Sequence, residues 1–254
     1  MISHDVASIV HHLVSRVQAV EVENEPYQHF FLTNAFPPDV YAEMRRRLPD
    51  RQCYAPLNIK RWKNAAGEST RDRLLLSGGE IDRIRAEDQD FWSTVTTGLT
   101  GREFQLAVYD RFRDDIAIRL NCDREQVLQQ QAWPTAMLVR DYEEYEIKPH
   151  PDGHPRVVTM MFYLADEGAP EDLGTSVYRE RSTLSRLLGQ RFEEVKRFPF
   201  LPNSASAFVV NDNEKRRSLH GREYIGGKNI ARDSLIIAWL YKEHEEFGRK
   251  HSQK

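Results

Sequence analysis

Apolar residues near the start of the chain recur every three or four positions, at Val6, Ile9, Val10, Leu13, Val14 and Val17. That interval matches one face of an α-helix and predicts a helix buried along a single stripe. His11 and His12 fall off most of the stripe and read as solvated or half-buried helix residues rather than metal ligands. A short strand is predicted over 27–32. Pro37-Pro38-Asp39 then opens a second helix through Leu48, with Val40, Met44 and Leu48 on one side. Arg45-Arg46-Arg47 reads as its solvated face. Residues 58–70 are polar and without period, and are read as a loop approaching a site. Arg71 and Arg73 beyond it are surface residues by default, with a place near a substrate as the alternative. Helices follow over 91–99 and 104–120, and Thr100-Gly101-Arg102-Glu103 between them fits a capping box.

The texture changes at Thr135. Met137, Val139, Tyr142 and Ile147 belong to an extended region, and the nearly unbroken apolar run 157–164 predicts a buried strand. Two more are predicted at 205–210 and 235–241, with Trp239 and Tyr241 as sheet-packing aromatics. Turn signals lie between them at Asp152-Gly153, 168–174, 199–203 and Gly226-Gly227. Short strands with polar turns predict an α+β, β-rich chain. Its core would be a jelly roll, or double-stranded β-helix, over 135–242, with the mainly helical residues 1–134 packed on the sheet. With no linker or internal repeat, residues 1–254 are read as one domain.

Composition narrows the classes. A chain of 254 residues can bury a full core, and 40% hydrophobic with 30% charged residues is ordinary for a soluble protein. A net charge of −3 gives no electrostatic footprint for nucleic acid. No apolar run approaches the length of a membrane span, and the N-terminus lacks the basic and apolar regions of a signal peptide. Cys53 and Cys122 form neither a disulfide framework nor a zinc pattern, and neither has an evident base partner for nucleophilic work. A cytoplasmic, reducing location is the simplest expectation.

The candidate chemistry lies at His150-Pro151-Asp152, His220 and Arg232-Asp233-Ser234. A His and a carboxylate two apart on an extended segment project to the same side, and His220 arriving from a distant strand completes a 2-His-1-carboxylate face. Such a face, with positions left open, suits non-haem Fe(II). Arg232, twelve residues past His220 on an apolar strand, offers an always-charged planar fork to a carboxylate-bearing cosubstrate. Each element has a plainer counterpart. His-Pro-Asp alone is commonly a turn, and Arg232 would serve equally in a structural ion pair. His154 competes as a ligand, because Asp152-Gly153-His154 has the D-x-H spacing of two-metal phosphoesterases, although the further Asp and Asn-His clusters of such sites are missing.

Taken in order, these pieces resemble the Fe(II)/2-oxoglutarate-dependent oxygenase superfamily over residues 135–242. The matching text is 145–152, ending in His150-Pro151-Asp152, and then the basic residue and hydrophobic strand of 156–164, ending in Tyr163-Leu164. Leu173-Gly174-Thr175-Ser176 resembles the family's Gly-Gly-x-Leu turn, Ser218-Leu219-His220-Gly221 its Trp-His-Gly, and Arg232-Asp233-Ser234 its Arg-x-Ser. The resemblance implies Fe(II) held by His150, Asp152 and His220, with 2-oxoglutarate and O2 taking the open positions. It implies that Arg232 pairs with the far carboxylate of 2-oxoglutarate and that Ser234 donates a hydrogen bond, with Thr159 and Tyr142 as further candidates for that pocket. The expected activity is hydroxylation of an unactivated carbon on a small molecule, such as an amino acid or natural-product intermediate. A protein side chain as substrate, a desaturation or cyclisation outcome, and a non-catalytic metal-binding jelly roll are the alternatives. Halogenating relatives replace the carboxylate by Gly or Ala, so Asp152 favours oxygen transfer.

Overall fold

The computed structural model describes residues 5–57, 59, 62–182, 189, 191–213, 216–224 and 231–242. The turn expected at Gly226-Gly227 lies outside the described residues, as do positions 58, 60 and 61 of the expected 58–70 loop.

Two antiparallel sheets carry the structure. The larger has seven strands, in the order β1 (His29–Thr33), β9 (Ser204–Val209), β6 (Arg156–Tyr163), β11 (Arg232–Leu240), β4 (Trp133–Asp141), β3 (Arg71–Leu75) and β2 (Ala55–Pro56). The smaller is β5 (Ile147–His150), β10 (His220–Arg222), β7 (Ser176–Glu180) and β8 (Phe192–Arg197). The chain is thus α+β and β-rich, as its patterning predicts. β1, β2 and β3 come from the first 134 residues, so the larger sheet draws on both parts of the chain.

Strong alternation along the larger sheet places the site. On β4, β6 and β11, residues Ala136, Leu138, Val158, Met160, Phe162, Leu235, Ile237 and Trp239 join the main core. That core also takes Ile9, Leu13 and Val17 from α1 (Val6–Ala19), Trp92 and Val95 from α3 (Ala86–Thr100), Phe104 and Val108 from α4 (Arg102–Arg111), and Ile116 from α5 (Arg113–Leu120). Because successive side chains on a strand point to opposite faces, Met137, Val139 and Ile236 lie on the other side, in a separate small cluster. Arg71 and Arg73 of β3, Asp141, Thr159, Met161, Arg232 and Ser234 share the phase of that second face. Both faces are covered, which is why these strands read as unbroken apolar runs. Between the sheets, Tyr163 and Phe208 pack with Val177, Phe198 and Phe200.

The helices follow their predicted stripes with local corrections. α1 is capped by Asp5, whose Oδ1 accepts from the Ser8 amide at 2.7 Å, and it buries Ile9, Val10, Leu13 and Val17. His11 is exposed, and the His12 ring bonds the Asn34 carbonyl at 2.9 Å. α2 (Pro38–Arg46) begins at Pro38 as expected. Its arginines are not simply solvated: Arg45 binds the Leu164 carbonyl and Asp166, while Arg47 bridges Glu43 and Asp88. The capping box expected at 100–103 does not form. Thr100 is the last residue of α3 and its hydroxyl donates to the Thr96 carbonyl, so α4 begins at Arg102 after Gly101 with no side-chain cap. The single helix expected over 104–120 divides at Phe112, which leaves helical geometry at φ −116° and ψ 22° and stacks its ring on Phe30 at 4.9 Å. Among the described residues no helix is long and apolar enough to cross a membrane.

Candidate active site

β5 and β10 pair in a register that sets His150 directly opposite His220, with ring centroids 4.5 Å apart. Gly221 permits this approach, since a Cβ there would lie 2.6 Å from the Ile147 carbonyl oxygen, inside any normal contact. Gly221→Ala is therefore expected to push β10 off β5 and separate the two imidazoles. Divalent-metal affinity should fall while the main core, built elsewhere, still unfolds cooperatively; unchanged metal affinity would show that this contact does not set the register.

Asp152 lies two residues past the end of β5 and turns toward the larger sheet. One ligand atom from each of His150, Asp152 and His220 lies within 4.8 Å of the others, and His220 Nε2 is 3.7 Å from Asp152 Oδ1. The outer contacts orient all three. The Nδ1 of His150 donates to the Lys148 carbonyl at 2.9 Å and that of His220 to the Ser218 carbonyl at 3.0 Å, which puts the lone pair of each ring on Nε2. Thr159 donates to Asp152 Oδ2 at 2.6 Å, and Arg156 reaches the same oxygen at 2.8 Å, so Oδ1 is the oxygen turned to His220. Burial pushes the Asp152 carboxyl up, but Arg156, His220 and the Thr159 hydrogen bond outweigh it and hold it well below the usual carboxylate range. Burial pushes the His220 imidazole down, favouring its neutral, ligating form. Two oriented imidazole nitrogens and one ionised carboxylate oxygen fit a divalent first-row metal such as Fe(II).

The triad opens into a cavity of about 630 Å3, within the range of roughly 300–1,000 Å3 usual for small-molecule sites. Its walls are apolar at Met137, Val139, Ile147 and Ile236, and strongly basic at Arg71, Arg73, Arg222 and Arg232. Behind them Asp141 is fully buried. Arg71 donates to both its oxygens at 2.5 and 3.0 Å, Arg232 Nη1 donates to Oδ2 at 2.8 Å, and Arg222 Nη1 stands 3.8 Å off. Arg232 Nη2 also donates to Thr175 Oγ1 at 3.0 Å. Burial, and next the neighbouring Arg232, push Arg222 down to about 10.

Burial pushes the Asp141 carboxyl up, but its arginines prevail and hold it below its ordinary value of 3.8. A depressed carboxylate stabilises the fold fully above its unfolded pKa, and that contribution is lost as pH falls through the folded value. Asp141→Asn is expected to cost about 3–5 kcal/mol, the usual penalty for stranding buried partners of an ion pair. It should also flatten the acid limb of stability below the unfolded carboxylate pKa. Urea unfolding across pH reads both, and a loss below about 1 kcal/mol, the scale of exposed pairs, would show that solvent compensates the arginines.

The structure brings His150, Asp152, His220, Arg232 and Thr159 to this one cavity. Thr159 serves Asp152 rather than a more distant ligand. Ser234 shares the face of Arg232 but does not line the cavity, and its Oγ is buried without a hydrogen-bond partner among the described residues. Tyr142 lies off the cavity, past the end of β4, and donates to Asp72 at 2.8 Å. The competing ligand His154 is exposed at the rim and bonds the Tyr241 hydroxyl at 2.7 Å, apart from the ligand cluster. Arg71 and Arg73, read as surface residues by default, line the cavity from a strand. Their alternation with Asp72 and Leu74 is the signal of a strand with one basic face. Asp141 and Tyr145 went unread as site residues, the first because a lone carboxylate ending an apolar run has no motif.

No protein-family model matches the chain, and no curated protein matches it significantly in sequence. Solved structures do match. A Pseudomonas putida prolyl-4-hydroxylase aligns over 92% of this chain and 99% of its own, with 12% identity and a TM-score of 0.51. AtDAO1, a dioxygenase for auxin oxidation from Arabidopsis thaliana solved with 2-oxoglutarate, aligns over 91% of this chain and 88% of its own, with 11% identity and a TM-score of 0.54. The non-haem α-ketoglutarate-dependent epimerase SnoN, from nogalamycin biosynthesis, aligns over 91% and 82%, with 11% identity and a TM-score of 0.50. Three reactions on one scaffold show how little the scaffold alone says of the outcome. What these likenesses and the two-sheet architecture establish together is that this chain has the jelly-roll fold of the Fe(II)/2-oxoglutarate oxygenases.

Proposed function

We propose that this chain is an Fe(II)- and 2-oxoglutarate-dependent oxygenase that hydroxylates an unactivated carbon of a small molecule, such as an amino acid or natural-product intermediate. The observation that carries the reading is the triad itself: two imidazoles with Nδ1 tied to backbone and a carboxylate with Oδ2 tied down, their ligand atoms within 4.8 Å. His150, Asp152 and His220 would hold the metal, which when bound with 2-oxoglutarate supplies the power to oxidise an unactivated C–H bond. The chain's residues bind and orient. Arg232 would take the far carboxylate of 2-oxoglutarate, with its guanidinium already directed by Asp141 and Thr175. The apolar walls at Met137, Val139 and Ile236 keep water from the reacting carbon. A carboxylate at position 152 supports oxygen transfer over halogenation. Both cysteines are free, which fits a reducing cytoplasm, where iron stays Fe(II).

The test is a screen for succinate release over amino acids and natural-product intermediates, run under isotope-labelled O2. A hydroxylase transfers one labelled oxygen atom to the product and the other to succinate. A product that is desaturated or cyclised, with label only in succinate, would contradict the hydroxylase assignment while keeping the cofactors.

A further inference from the structure

Three buried guanidinium groups, Arg71, Arg222 and Arg232, share one carboxylate, Asp141. The cluster thus carries a surplus of two positive charges, and Arg73 is a further cation on the same cavity wall. On the oxygenase reading above, on which this inference rests, the far carboxylate of 2-oxoglutarate neutralises one of them through Arg232. In the cluster one positive charge remains.

The hydrogen bonds say where. Arg71 spends its fork on both oxygens of Asp141, and Arg232 spends its two terminal nitrogens on Asp141 and Thr175. Arg222 is 4% exposed, yet its Nε and Nη1 have no hydrogen-bond partner among the described residues. Tyr145, fully buried, has an equally unpartnered hydroxyl, and the Arg222 guanidinium lies 5.6 Å from its ring centroid. Both residues line the cavity. Buried donors left unmatched are costly, and where they face a cavity they offer a ligand's acceptor a ready partner. Beside them runs the apolar wall of Ile147, Val139 and Ile236.

We propose that Arg222 and Tyr145 form the recognition subsite for a carboxylate on the substrate, so that the substrate is an organic acid with an apolar body. The acid group sits on Arg222 with the Tyr145 hydroxyl donating, and the apolar body lies along Ile147 and Val139.

The test uses the anaerobic Fe(II)·2-oxoglutarate complex at saturating 2-oxoglutarate, titrated by calorimetry with matched acids and primary amides: 3-phenylpropionate against 3-phenylpropanamide, and hexanoate against hexanamide. The acids are expected to bind roughly 10- to 100-fold more tightly than the amides, the size of a charge-assisted hydrogen bond. Arg222→Gln should remove most of that preference and leave the 2-oxoglutarate affinity within about threefold of wild type, well under one tenfold step. Tyr145→Phe removes a hydroxyl that bonds nothing among the described residues, so it should fold normally and lower the preference as well. It keeps the test decisive where Arg222→Gln disturbs the fold. Acids and amides binding alike, no member of the panel binding, acids that merely displace 2-oxoglutarate, or a loss of 2-oxoglutarate affinity in Arg222→Gln would each overturn the assignment. Failure of the oxygenase reading looks different: the wild-type protein would then form no complex with Fe(II) and 2-oxoglutarate before any acid is added.

Discussion

Titrated with Fe(II) under anaerobic conditions, Asp152→Ala is expected to lose more affinity than the roughly 10–100-fold that removal of an outer hydrogen-bond partner costs a metal site. Three protein ligands leave no redundancy, and the same should hold for His150→Ala and His220→Ala. The structure adds a graded control. The Thr159 hydroxyl donates to Asp152 Oδ2, the oxygen turned away from His220. Thr159→Val should therefore fall within that 10–100-fold band rather than beyond it. Equal losses for Thr159→Val and Asp152→Ala would mean that the carboxylate acts by holding the loop rather than by ligation.

Arg232→Ala is expected to raise the 2-oxoglutarate requirement by roughly two to three orders of magnitude. Breaking a desolvated guanidinium–carboxylate pair from one side costs on the order of 3–5 kcal/mol, and about 1.4 kcal/mol is tenfold. Fe(II) affinity should stay near wild type, because Arg232 is not a ligand. The fold should also hold, since Arg71 still grips both oxygens of Asp141. Arg232→Lys should recover only part of the loss, because an ammonium cannot occupy Asp141, Thr175 and a cosubstrate carboxylate with one planar fork. Arg222 lines the same cavity and is the informative comparison. Normal 2-oxoglutarate affinity in Arg232→Ala, with loss in Arg222→Ala, would exchange the two roles.

How much of this was legible in the sequence follows from which forces act locally. The stripe at Ile9, Leu13 and Val17 and the strand runs at 157–164 and 235–241 were readable, because burial imposes a period on consecutive residues. The three residues of the candidate metal cluster were readable because His150 and Asp152 sit on one short segment and His220 precedes a glycine. What was missed depends on partners far away in the chain. Arg71 and Asp141 meet across seventy residues of sequence, and no local period marks a buried arginine as different from a solvated one. The capping box failed for a related reason: the Thr100 hydroxyl had a nearer acceptor inside its own helix. Phe112 broke a helix that propensity would have continued, because its ring finds Phe30 on the sheet.

The most direct test of the central claim is the visible absorption spectrum of the anaerobic protein with Fe(II) and 2-oxoglutarate. A 2-oxo acid chelated to iron on a 2-His-1-carboxylate face gives a broad metal-to-ligand charge-transfer band. The wild-type chain should show it, saturating at one metal and one 2-oxoglutarate per chain. The combined His150→Ala, Asp152→Ala and His220→Ala variant should not. A wild-type protein that stays colourless, or a triple variant that develops the same band with unchanged affinity, would contradict the assignment of this site.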